Sequence, residues 1–283
     1  MKRGGRGSSR STSVTGFKAL SAELWAAAYA GVRIYLRYPA WLISDILTTP
    51  AWLVLILVPI LLFLPRGSWS DPQVLSMLFW GFVFWDVVGA GLWSFGMAVR
   101  REQQMGTLEP LLLTNASRAI LFSRDLFSRA LSLALSLAYV YTFFTAIFGV
   151  NALILNPVGT TASLAVGLLA SMGFGLVYGA LVLRFKNVGP LNNLLQFIIM
   201  GLCGAFFPIT SLPENLRALS YAIPHTYAAD LLRHYSLGSP TILPPLQEWA
   251  LLIGYTALLL TLGFTALRGV EKGLKRTGQL GTY

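Results

Sequence analysis

One stretch of this chain, residues 74–118, reads VLSMLFWGFVFWDVVGAGLWSFGMAVRREQQMGTLEPLLLTNASR. Its first part, residues 74–99, is apolar for long enough to cross a bilayer, since a spanning helix needs about 20 mostly apolar residues. Its second part, residues 100–118, is charged and amphipathic and leads into another apolar run. A connection between two membrane helices needs only a few residues, so this longer segment indicates a docking element.

The whole chain has the composition of a membrane protein. Of its 283 residues, 55% are hydrophobic and 11% are charged, and the mean hydropathy is +0.65. These values are typical of polytopic membrane proteins rather than of soluble domains. The net charge of +10 is carried by the segments between and beside the apolar runs. This distribution favours orientation signals over nucleic-acid binding, so we expect no nucleic-acid partner.

The chain is predicted to be all-α, with six transmembrane helices whose boundaries are approximate. The six segments are residues 41–64, 74–99, 124–150, 158–183, 190–207 and 249–270. An even number of spans places both termini on one side. If that side is the cytosol, only three of the 21 Lys and Arg residues lie outside, namely Arg66, Arg217 and Arg233. The positive charge therefore predicts a multi-pass protein of the cytoplasmic (inner) membrane with both termini in the cytosol.

The terminal segments differ from the transmembrane domain predicted for residues 39–270. Residues 1–16 are basic and rich in Gly and Ser, which predicts a disordered cytosolic tail. Residues 17–38 are too polar to span, but they form an amphipathic pattern with Lys18, Arg33 and Arg37 on the polar face. We expect an interfacial helix whose basic face meets lipid headgroups or a cytosolic partner. Residues 271–283 are predicted to form a second cytosolic tail.

The outer connection between the fifth and sixth spans contains signals for two short helices. Ser211 and Glu214 have the spacing of a capping box, and Thr226 is placed to cap a second helix that ends near Gly238. Neither helix is long enough to span the membrane alone. Residues 208–238 are therefore predicted to form a re-entrant helical hairpin at the outer leaflet.

Two histidines and a carboxylate in this hairpin suggest either a metal site or a pH switch. Asp230 and His234 are one helical turn apart, and His225 lies five residues before Asp230. This set lacks the spacing of a strong metal site, so we favour solvated helix polarity and predict no metal.

A carboxylate occurs near the middle of the second predicted span. Asp86 is flanked by Trp85, and a charge at that depth is costly and marks a functional site by default. The alternative is that Asp86 is protonated, or accepts hydrogen bonds from a neighbouring helix without a role in transport. The sequence leaves both interpretations open.

Polar stripes occur at the predicted cytosolic ends of the first and fifth spans. Asp45 and Thr49 form one stripe, and Asn193 and Gln196, with Asn192, form the other. Two half-polar spans are typical of a water-accessible pathway, although interhelical hydrogen bonds explain them almost as well.

Small residues recur every four positions in two other spans. We interpret these faces as tight helix contacts without a catalytic role. They are Gly167, Ser171, Gly175 and Gly179 in the fourth span, and Ser128, Ser132 and Ser136 in the third.

The sequence contains no Walker A pattern, GxxxxGK[ST], and no Ser/His/Asp arrangement or His/Cys metal spacing. We therefore predict that the chain is not an enzyme and binds no cofactor itself.

Two motifs resemble one known family. Residues 105–118, MGTLEPLLLTNASR, resemble the GTLE–LL–TP–sr motif that follows the second span of ABC-2 type permeases. Residues 207–213, FPITSLP, and 222–233, AIPHTYAADLLR, resemble the outer motif of the same family. With the interfacial helix and six spans, the resemblance covers nearly the whole chain.

The chain departs from the family pattern at one place. Asn115 and Ala116 stand where Thr-Pro is common, which affects only the end of the cytosolic motif. The Tyr38-Pro39 start of the first span is more similar to drug-exporter members than to polysaccharide exporters.

The resemblance implies the membrane subunit of a type V ABC exporter. Such a subunit pairs with a second, identical or related permease and with two copies of an ATPase subunit that binds ATP and Mg. Residues 17–38 would be the connecting helix and about 105–116 the coupling helix, both contacting the ATPase. The first, second and fifth spans would line the pathway, and the hairpin would help to close it.

The implied site residues fall into three further sets. The ATPase-coupling set is Arg101, Glu102, Gly106, Thr107, Leu108, Glu109, Leu111 and Leu112. The pathway candidates are Asp45, Thr49, Trp85, Asp86, Asn193 and Gln196. The outer-gate candidates are Phe207, Pro208, Pro224, His225 and Tyr227.

The expected function is ATP-driven export of a hydrophobic or amphiphilic substrate of the drug, lipid-like or peptide-like class. Export of a polysaccharide or a lipid-linked glycan by the same mechanism is an alternative. An ATP-independent secondary transporter that uses Asp86 is another, and a membrane scaffold without transport is a third. The apolar residues Leu108, Leu111 and Leu112 favour docking to a partner. The alternative is that these leucines simply rest on the inner leaflet of the membrane.

Overall fold

The computed structural model describes residues 39–104, 106, 118–149, 151–185 and 189–277, together with Trp25, Ala26, Tyr29, Val32, Arg33 and Arg37. In these residues the regular structure is helical throughout, which confirms the predicted class. The α-helices are α1 (Pro39–Phe63), α2 (Pro72–Gln104), α3 (Arg118–Phe148), α4 (Pro157–Phe185), α5 (Gly189–Leu202), α6 (Glu214–Ser220), α7 (Pro224–Leu237) and α8 (Pro245–Thr277). Two short 3-10 helices, Arg66–Ser70 and Ile209–Ser211, lie between them.

Five of these helices, α1, α2, α3, α4 and α8, are long and apolar enough to cross a membrane. The fifth predicted span is shorter than expected, because α5 has 14 residues and ends at Leu202 rather than at Phe207. At 1.5 Å per residue it is about 21 Å long, against about 30 Å for the hydrocarbon core. The chain turns after α5, where Gly204 has a φ of 73°. Within the described residues, six full spans are therefore not confirmed.

Helices α2 and α4 form the centre of the bundle. In their apolar windows 72% and 61% of the residues are buried, against 17–22% in α1, α3 and α8. Helices α7 and α8 pack on α4, while α3 packs on α2 and α1. The exposed faces of α1 and α8 carry large apolar side chains such as Trp52, Leu55 and Leu258, as expected for contact with lipid.

Glycines allow α2 and α4 to approach closely. A Cβ atom at Gly175 would lie 2.5 Å from the Gly91 carbonyl oxygen, and one at Gly91 would lie 2.3 Å from Ser171 Cβ. Neither position therefore accepts a side chain without moving the helices apart. The tight contact predicted for the small-residue stripe of the fourth span is confirmed.

The two helices of the hairpin start differently from the sequence prediction, but the second one ends as predicted. Ser211 lies in the second 3-10 helix, and α6 follows Pro213 without a side-chain cap, so the predicted capping box is wrong. Helix α7 starts at Pro224, two residues before Thr226, whose hydroxyl instead donates to the Ser220 carbonyl oxygen at 2.6 Å. Proline suits the first helical position because its fixed φ is helical. The predicted end is confirmed, since Gly238 has a φ of 72°.

The start of helix α7 lies against the middle of its neighbouring helices. Near its start, His225 contacts Ser171 and Phe84, and Tyr227 stacks on Tyr255 with ring centroids 6.1 Å apart. These three partners lie about 15 to 21 Å along α8, α2 and α4 from the starts of those helices. Because its other end lies beside the first turn of α4, where a Cβ atom at Gly159 would lie 2.3 Å from Tyr235 Cγ, α7 runs antiparallel to α4.

A buried ion pair joins three parts of the hairpin region. Asp230 and Arg233 are each 4% exposed, and Arg233 Nη2 donates to Asp230 Oδ1 at 2.6 Å. Arg233 Nη1 also donates to the carbonyl oxygen of Gly204 at 2.7 Å, and the Ile242 backbone N–H donates to Asp230 Oδ2 at 2.8 Å. The pair thus holds the turn after α5 and the connection to α8 against α7. The interpretation of Asp230 as solvated helix polarity is wrong, because these bonds compensate for its burial.

Replacing Gly175 with Leu should lower the melting temperature by several degrees. A side chain there would separate α2 from α4, and overpacking of this kind costs about 1–3 kcal/mol. Thermal unfolding followed by tryptophan fluorescence measures the change. Gly254→Leu on α8 is the matched control, since nothing lies within 4 Å of a Cβ atom at Gly254. Equal melting temperatures for Gly175→Leu and Gly254→Leu would contradict the close contact.

Replacing Asp230 with Ala should loosen the hairpin, because it leaves the buried Arg233 charge without its partner at a cost of about 3–5 kcal/mol. Cys203 is the single cysteine, is buried and precedes the turn that Arg233 holds, so it reports on this loosening. We expect faster labelling of Cys203 by N-ethylmaleimide in Asp230→Ala. Glu214→Ala, which removes an exposed carboxylate at the start of α6, should leave the rate unchanged. Unchanged labelling in both variants would show that the ion pair does not hold the turn.

Candidate functional site

A polar cavity of about 280 Å³ lies between α1, α2, α3 and α5. Helix α2 contributes half of its wall from one face, because residues three and four apart on a helix point the same way. The lining residues are Thr49, Trp85, Asp86, Gly89, Ala90, Trp93, Ser132, Leu133, Ser136 and Gln196. A cavity with a carboxylate, an amide and several hydroxyl groups is unusual in an apolar bundle and is the strongest candidate site in the described part of the chain.

One of the two interpretations of Asp86 included a hydrogen bond from a neighbouring helix, whereas its role as a functional site stays a prediction. Its side chain is half-buried and lines the cavity, and Ser136 Oγ on α3 donates to its Oδ2 at 3.2 Å. The expected hydrogen bond from a neighbouring helix is therefore present. Asp86 thus accepts this bond and also lines the cavity.

Gln196 connects α5 to α2 across the same cavity. Trp93 Nε1 donates to Gln196 Oε1 at 2.9 Å. The amide lies over Gly89, where a Cβ atom would be 3.0 Å from Gln196 Nε2. The absence of a side chain at Gly89 lets the amide reach the indole, which fixes the orientation of the Trp93 ring.

The structure brings together four of the six pathway candidates, namely Thr49, Trp85, Asp86 and Gln196. Asn193 is exposed and does not line the cavity. Asp45 lies on α1, but its side chain is outside the described residues.

Sequence reasoning missed Ser132 and Ser136 as cavity residues. Their spacing predicted a tight helix contact, yet both line the cavity, and Ser136 binds Asp86. A sequence signal could have identified them. Two hydroxyl side chains lie about one helical turn apart on one span, and the span before it carries a carboxylate. Asn192 is also fully buried on α5, and neither atom of its amide has a partner within the described part of the chain.

A second, apolar cavity of about 360 Å³ lies on the other side of Asp86, between α2, α3 and α4. It shares Asp86, Leu133 and Ser136 with the polar cavity. Its remaining lining residues are Val83, Val87, Ala134, Leu137, Thr161, Leu164, Ala165 and Leu168. Asp86 therefore stands at the boundary between a polar and an apolar space.

The outer-gate candidates do not form one exposed cluster. Pro224 and His225 are buried, as is Tyr227, whose hydroxyl donates to the Tyr221 carbonyl oxygen at 2.8 Å. Phe207 is half-buried and Pro208 is exposed.

The His225 ring is fully buried, which overturns its interpretation as a solvated residue. Its Nε2 is 2.7 Å from Ser171 Oγ, and the rings of Phe84 and Phe174 flank it. The sequence misled here because α7 is polar in composition but is covered by the bundle. Within the described residues, no group of three or more His, Cys, Asp and Glu side chains could hold a metal ion.

The predicted coupling segment lies mostly outside the described residues. Helix α2 continues through Arg101 and Glu102, and Gly106 is exposed with a φ of 67°. Thr107, Leu108, Glu109, Leu111 and Leu112 are outside the described residues, and the role of the whole set stays a prediction.

The structure describes only a few separate residues of the predicted connecting helix. Lys18 is outside the described residues, while Arg33 and Arg37 are helical and exposed. Arg33 Nη1 donates to the Tyr29 hydroxyl at 3.2 Å, with the guanidinium 5.7 Å from the ring centroid. Contact with lipid or with a partner stays a prediction.

Comparison with known proteins relates this fold to a transporter family. The sequence model of the family described as ABC-2 type transporter matches residues 22–236. The chain is 24% identical over 105 residues to the capsule polysaccharide export inner-membrane protein BexB of Haemophilus influenzae. It is 28% identical over 105 residues to the capsule polysaccharide export inner-membrane protein CtrC of Neisseria meningitidis serogroup B.

Each of these two alignments covers 37% of this chain and 39% of the relative, so the chain spans well under half the length of the curated relatives it matches. Both relatives are inner-membrane proteins by name, and the chain has several helices of spanning length, so it is a multi-pass membrane protein. The family normally works with an ATPase subunit. Because the family match covers more than half of the sequence, the chain belongs to the ABC-2 type transporter family.

Proposed function

We propose that this chain is the membrane subunit of an ATP-driven exporter that moves a hydrophobic or amphiphilic substrate out across the cytoplasmic membrane. A separate ATPase subunit, present in two copies, would bind ATP and Mg and hydrolyse the nucleotide. The observation that carries the proposal is the polar cavity around Asp86 in a chain of the ABC-2 type transporter family. A transported molecule with polar groups needs such a cavity, because the surrounding lipid offers no hydrogen bonds.

The packing of the helices supports a division of the bundle into one part that stays fixed and one part that moves during transport. Helices α2, α4, α7 and α8 pack into one block, while α1 contacts mainly α3, and α5 touches α2 and α6. The cavity lies where these looser helices meet α2. A shift of α1 and α5 against the block would open or close the cavity with little disturbance of the tight contact between α2 and α4. Transport then requires that ATP binding favour one of two such arrangements.

The finer architecture belongs to the same proposal. Two permease copies, identical or related, would form the pathway, and residues 17–38 and about 105–116 would meet the ATPase subunits. Both termini would lie in the cytosol. Helix α5 and the hairpin would together complete the sixth crossing, with the hairpin re-entrant from the outside. The contact of His225 with Ser171, about 21 Å along α4 from its start, supports this depth.

A second candidate function is export of a polysaccharide or a lipid-linked glycan by the same mechanism. The names of the BexB and CtrC relatives favour it. The indole rings and hydroxyl groups of the polar cavity are also compatible with sugar rings. Export of a drug-like substrate is inferred from the Tyr38-Pro39 start of the first span, and it stays a prediction.

Copurification tests the central claim. The tagged full chain, expressed with the genes that neighbour it, should retain an ATPase subunit and show vanadate-sensitive hydrolysis in lipid nanodiscs. Replacing the Walker A lysine of that subunit should abolish the hydrolysis and the export. A chain that purifies alone and transports in the absence of ATP would instead support a secondary transporter based on Asp86, and one that recruits a partner without transport would support a scaffold.

Replacing Leu111 with Asp should uncouple the two subunits, since a charge in the expected apolar contact would be costly to bury. We expect the variant to fold and insert normally but to lose substrate-stimulated ATPase activity in the reconstituted complex. Leu246→Asp is the control, because Leu246 is 81% exposed at the start of α8, remote from the coupling segment in the predicted topology. Normal stimulation in Leu111→Asp would count against residues 105–116 as the coupling helix.

A further inference from the structure

We infer that the carboxyl groups of Asp230 and Glu248 form a proton-binding site and hold one proton between them at neutral pH. The site lies where α7 packs on the start of α8. The proton allows both carboxyl groups to stay buried there, so it helps to keep the hairpin attached to α8. This site is separate from the polar cavity and from the transport cycle proposed above.

The burial of Glu248 is the first observation. Glu248 lies in the first turn of α8 and is fully buried. Its Oε1 accepts a hydrogen bond from the backbone N–H of Leu243 at 2.9 Å. Its Oε2 is also buried and has no hydrogen-bond partner in the part of the chain that the structure describes. An ionised carboxylate in this position would be costly, because one of its oxygens would lack both a donor and contact with water.

The second observation is that another carboxyl group faces this one. Asp230 on α7 lies against Glu248, close enough for a hydrogen bond between the two side chains. Consecutive amides hold them together, because the N–H of Ile242 donates to Asp230 and that of Leu243 donates to Glu248. The Ile242 N–H also lies near Glu248. Two ionised carboxylates in such contact repel each other, whereas a protonated carboxyl group donates a hydrogen bond to an ionised one.

The third observation is the balance of charge. Arg233 brings one positive charge to the two carboxyl groups, and its bonds go to Asp230 Oδ1 at 2.6 Å and to the Gly204 carbonyl oxygen at 2.7 Å. Neither bond reaches Glu248. Two ionised carboxylates and one guanidinium would bury a net negative charge, and one proton makes the group neutral. A neutral group is much less costly to bury than a charged one.

The alternative is that Glu248 is ionised and simply caps α8. The N-terminus of a helix favours a negative charge, and the bond from Leu243 resembles a capping interaction. The helix dipole offsets only part of the cost of burying a carboxylate beside a second one. We therefore favour the shared proton, and the two states predict opposite effects of pH.

The other ionisable side chains near this contact do not supply a second positive charge. Tyrosine is neutral at pH 7, and the Tyr227 hydroxyl donates to the Tyr221 carbonyl oxygen. His234 Nδ1 is 2.9 Å from the Ser239 carbonyl oxygen, and Cys203 lies near Arg233. Helix α4 packs on both α7 and α8, and it has no Asp, Glu, Lys, Arg or His in residues 157–183. Helix α2 also contacts α7, and its Asp86 lies at the polar cavity. Tyr255 on α8 stacks on Tyr227.

The shared proton sets the direction in which pH changes stability. A glutamate in an unfolded chain releases its proton above about pH 4.3. The folded chain keeps this proton at neutral pH, so unfolding releases it. Stability therefore falls as the pH rises from about 4.3 until the folded chain also loses the proton. Over that range one retained proton raises the unfolding equilibrium constant by up to about tenfold per pH unit.

The variant Glu248→Gln tests the inference, because its amide imitates a protonated carboxyl group. The amide oxygen can accept the Leu243 N–H, and the amide nitrogen can donate to Asp230. Thermal unfolding of the full chain in phosphatidylcholine nanodiscs is followed by tryptophan fluorescence from about pH 5 to about pH 9. The two chains should melt at similar temperatures at about pH 5, and wild type should melt several degrees below Glu248→Gln at about pH 8. Glu214→Gln removes an exposed carboxylate at the start of α6 and should follow wild type at every pH.

Infrared spectroscopy of the same samples detects the proton directly. At about pH 7, wild type should show the carbonyl stretching band of a protonated carboxyl group, and Glu248→Gln should lack this band. Glu214→Gln should keep it. A contribution from Asp86 would be common to all three chains and would cancel in the difference spectra.

Four outcomes would overturn the inference. One is a wild type that melts above Glu248→Gln at about pH 8, which would show an ionised capping residue. Another is equal infrared spectra of wild type and Glu248→Gln in the carboxyl region at about pH 7. A third is failure of Glu248→Gln to fold, since a neutral side chain of the same shape should satisfy the site. The last is stabilisation of wild type, but not of Glu248→Gln, by sodium chloride relative to choline chloride at equal ionic strength, which would indicate a metal cation in place of the proton.

Discussion

The close approach of α2 and α4 is the contact on which the rest of the structure depends. Gly91 and Gly175 bring the two backbones together where a Cβ atom would meet a carbonyl oxygen at 2.5 Å. In lipid, apolar side chains gain little by leaving their surroundings, so helices associate through such close packing and through interhelical hydrogen bonds. Helices α7 and α8 then pack on α4, and α2 and α4 are the most buried of the five helices of spanning length in the described chain.

The cavity exists because the remaining helices do not pack in the same way. On the side of α2 that faces α1, α3 and α5, bulky indole rings and polar groups replace the glycines of the α4 contact. Trp93 meets Gln196 through one hydrogen bond, and Ser136 meets Asp86 through another, instead of through a continuous apolar surface. A few directed bonds leave space between the helices and can be exchanged, as the proposed transport function would require.

In the hairpin, buried polar groups are compensated in a different way, by an ion pair that also binds the backbone. Asp230 and Arg233 satisfy each other and also bind the backbone of the turn after α5 and of the connection to α8. Irregular backbone at the depth of a membrane is tolerated only where protein supplies its hydrogen bonds. The ion pair thus supplies a donor to the Gly204 carbonyl group, just after the end of the 14-residue α5. A short helix with a free end would expose its last carbonyl groups to the apolar interior.

Sequence alone determined the membrane class, five of the spanning helices, the small-residue contact of α4 and the end of α7 at Gly238, because each follows from local composition or from the backbone needs of one residue. It also proposed Thr49, Trp85, Asp86 and Gln196 as pathway candidates, and these four line one cavity. It misread Asp230 and His225 as solvated and the serines of α3 as packing, since burial and cavity lining depend on which helix lies opposite. Only the tertiary structure showed that Ser136 contacts Asp86 and that Arg233 contacts Gly204. These partners are 50 and 29 positions apart in the sequence. Such contacts depend on how the helices pack and not on the pattern within any one helix.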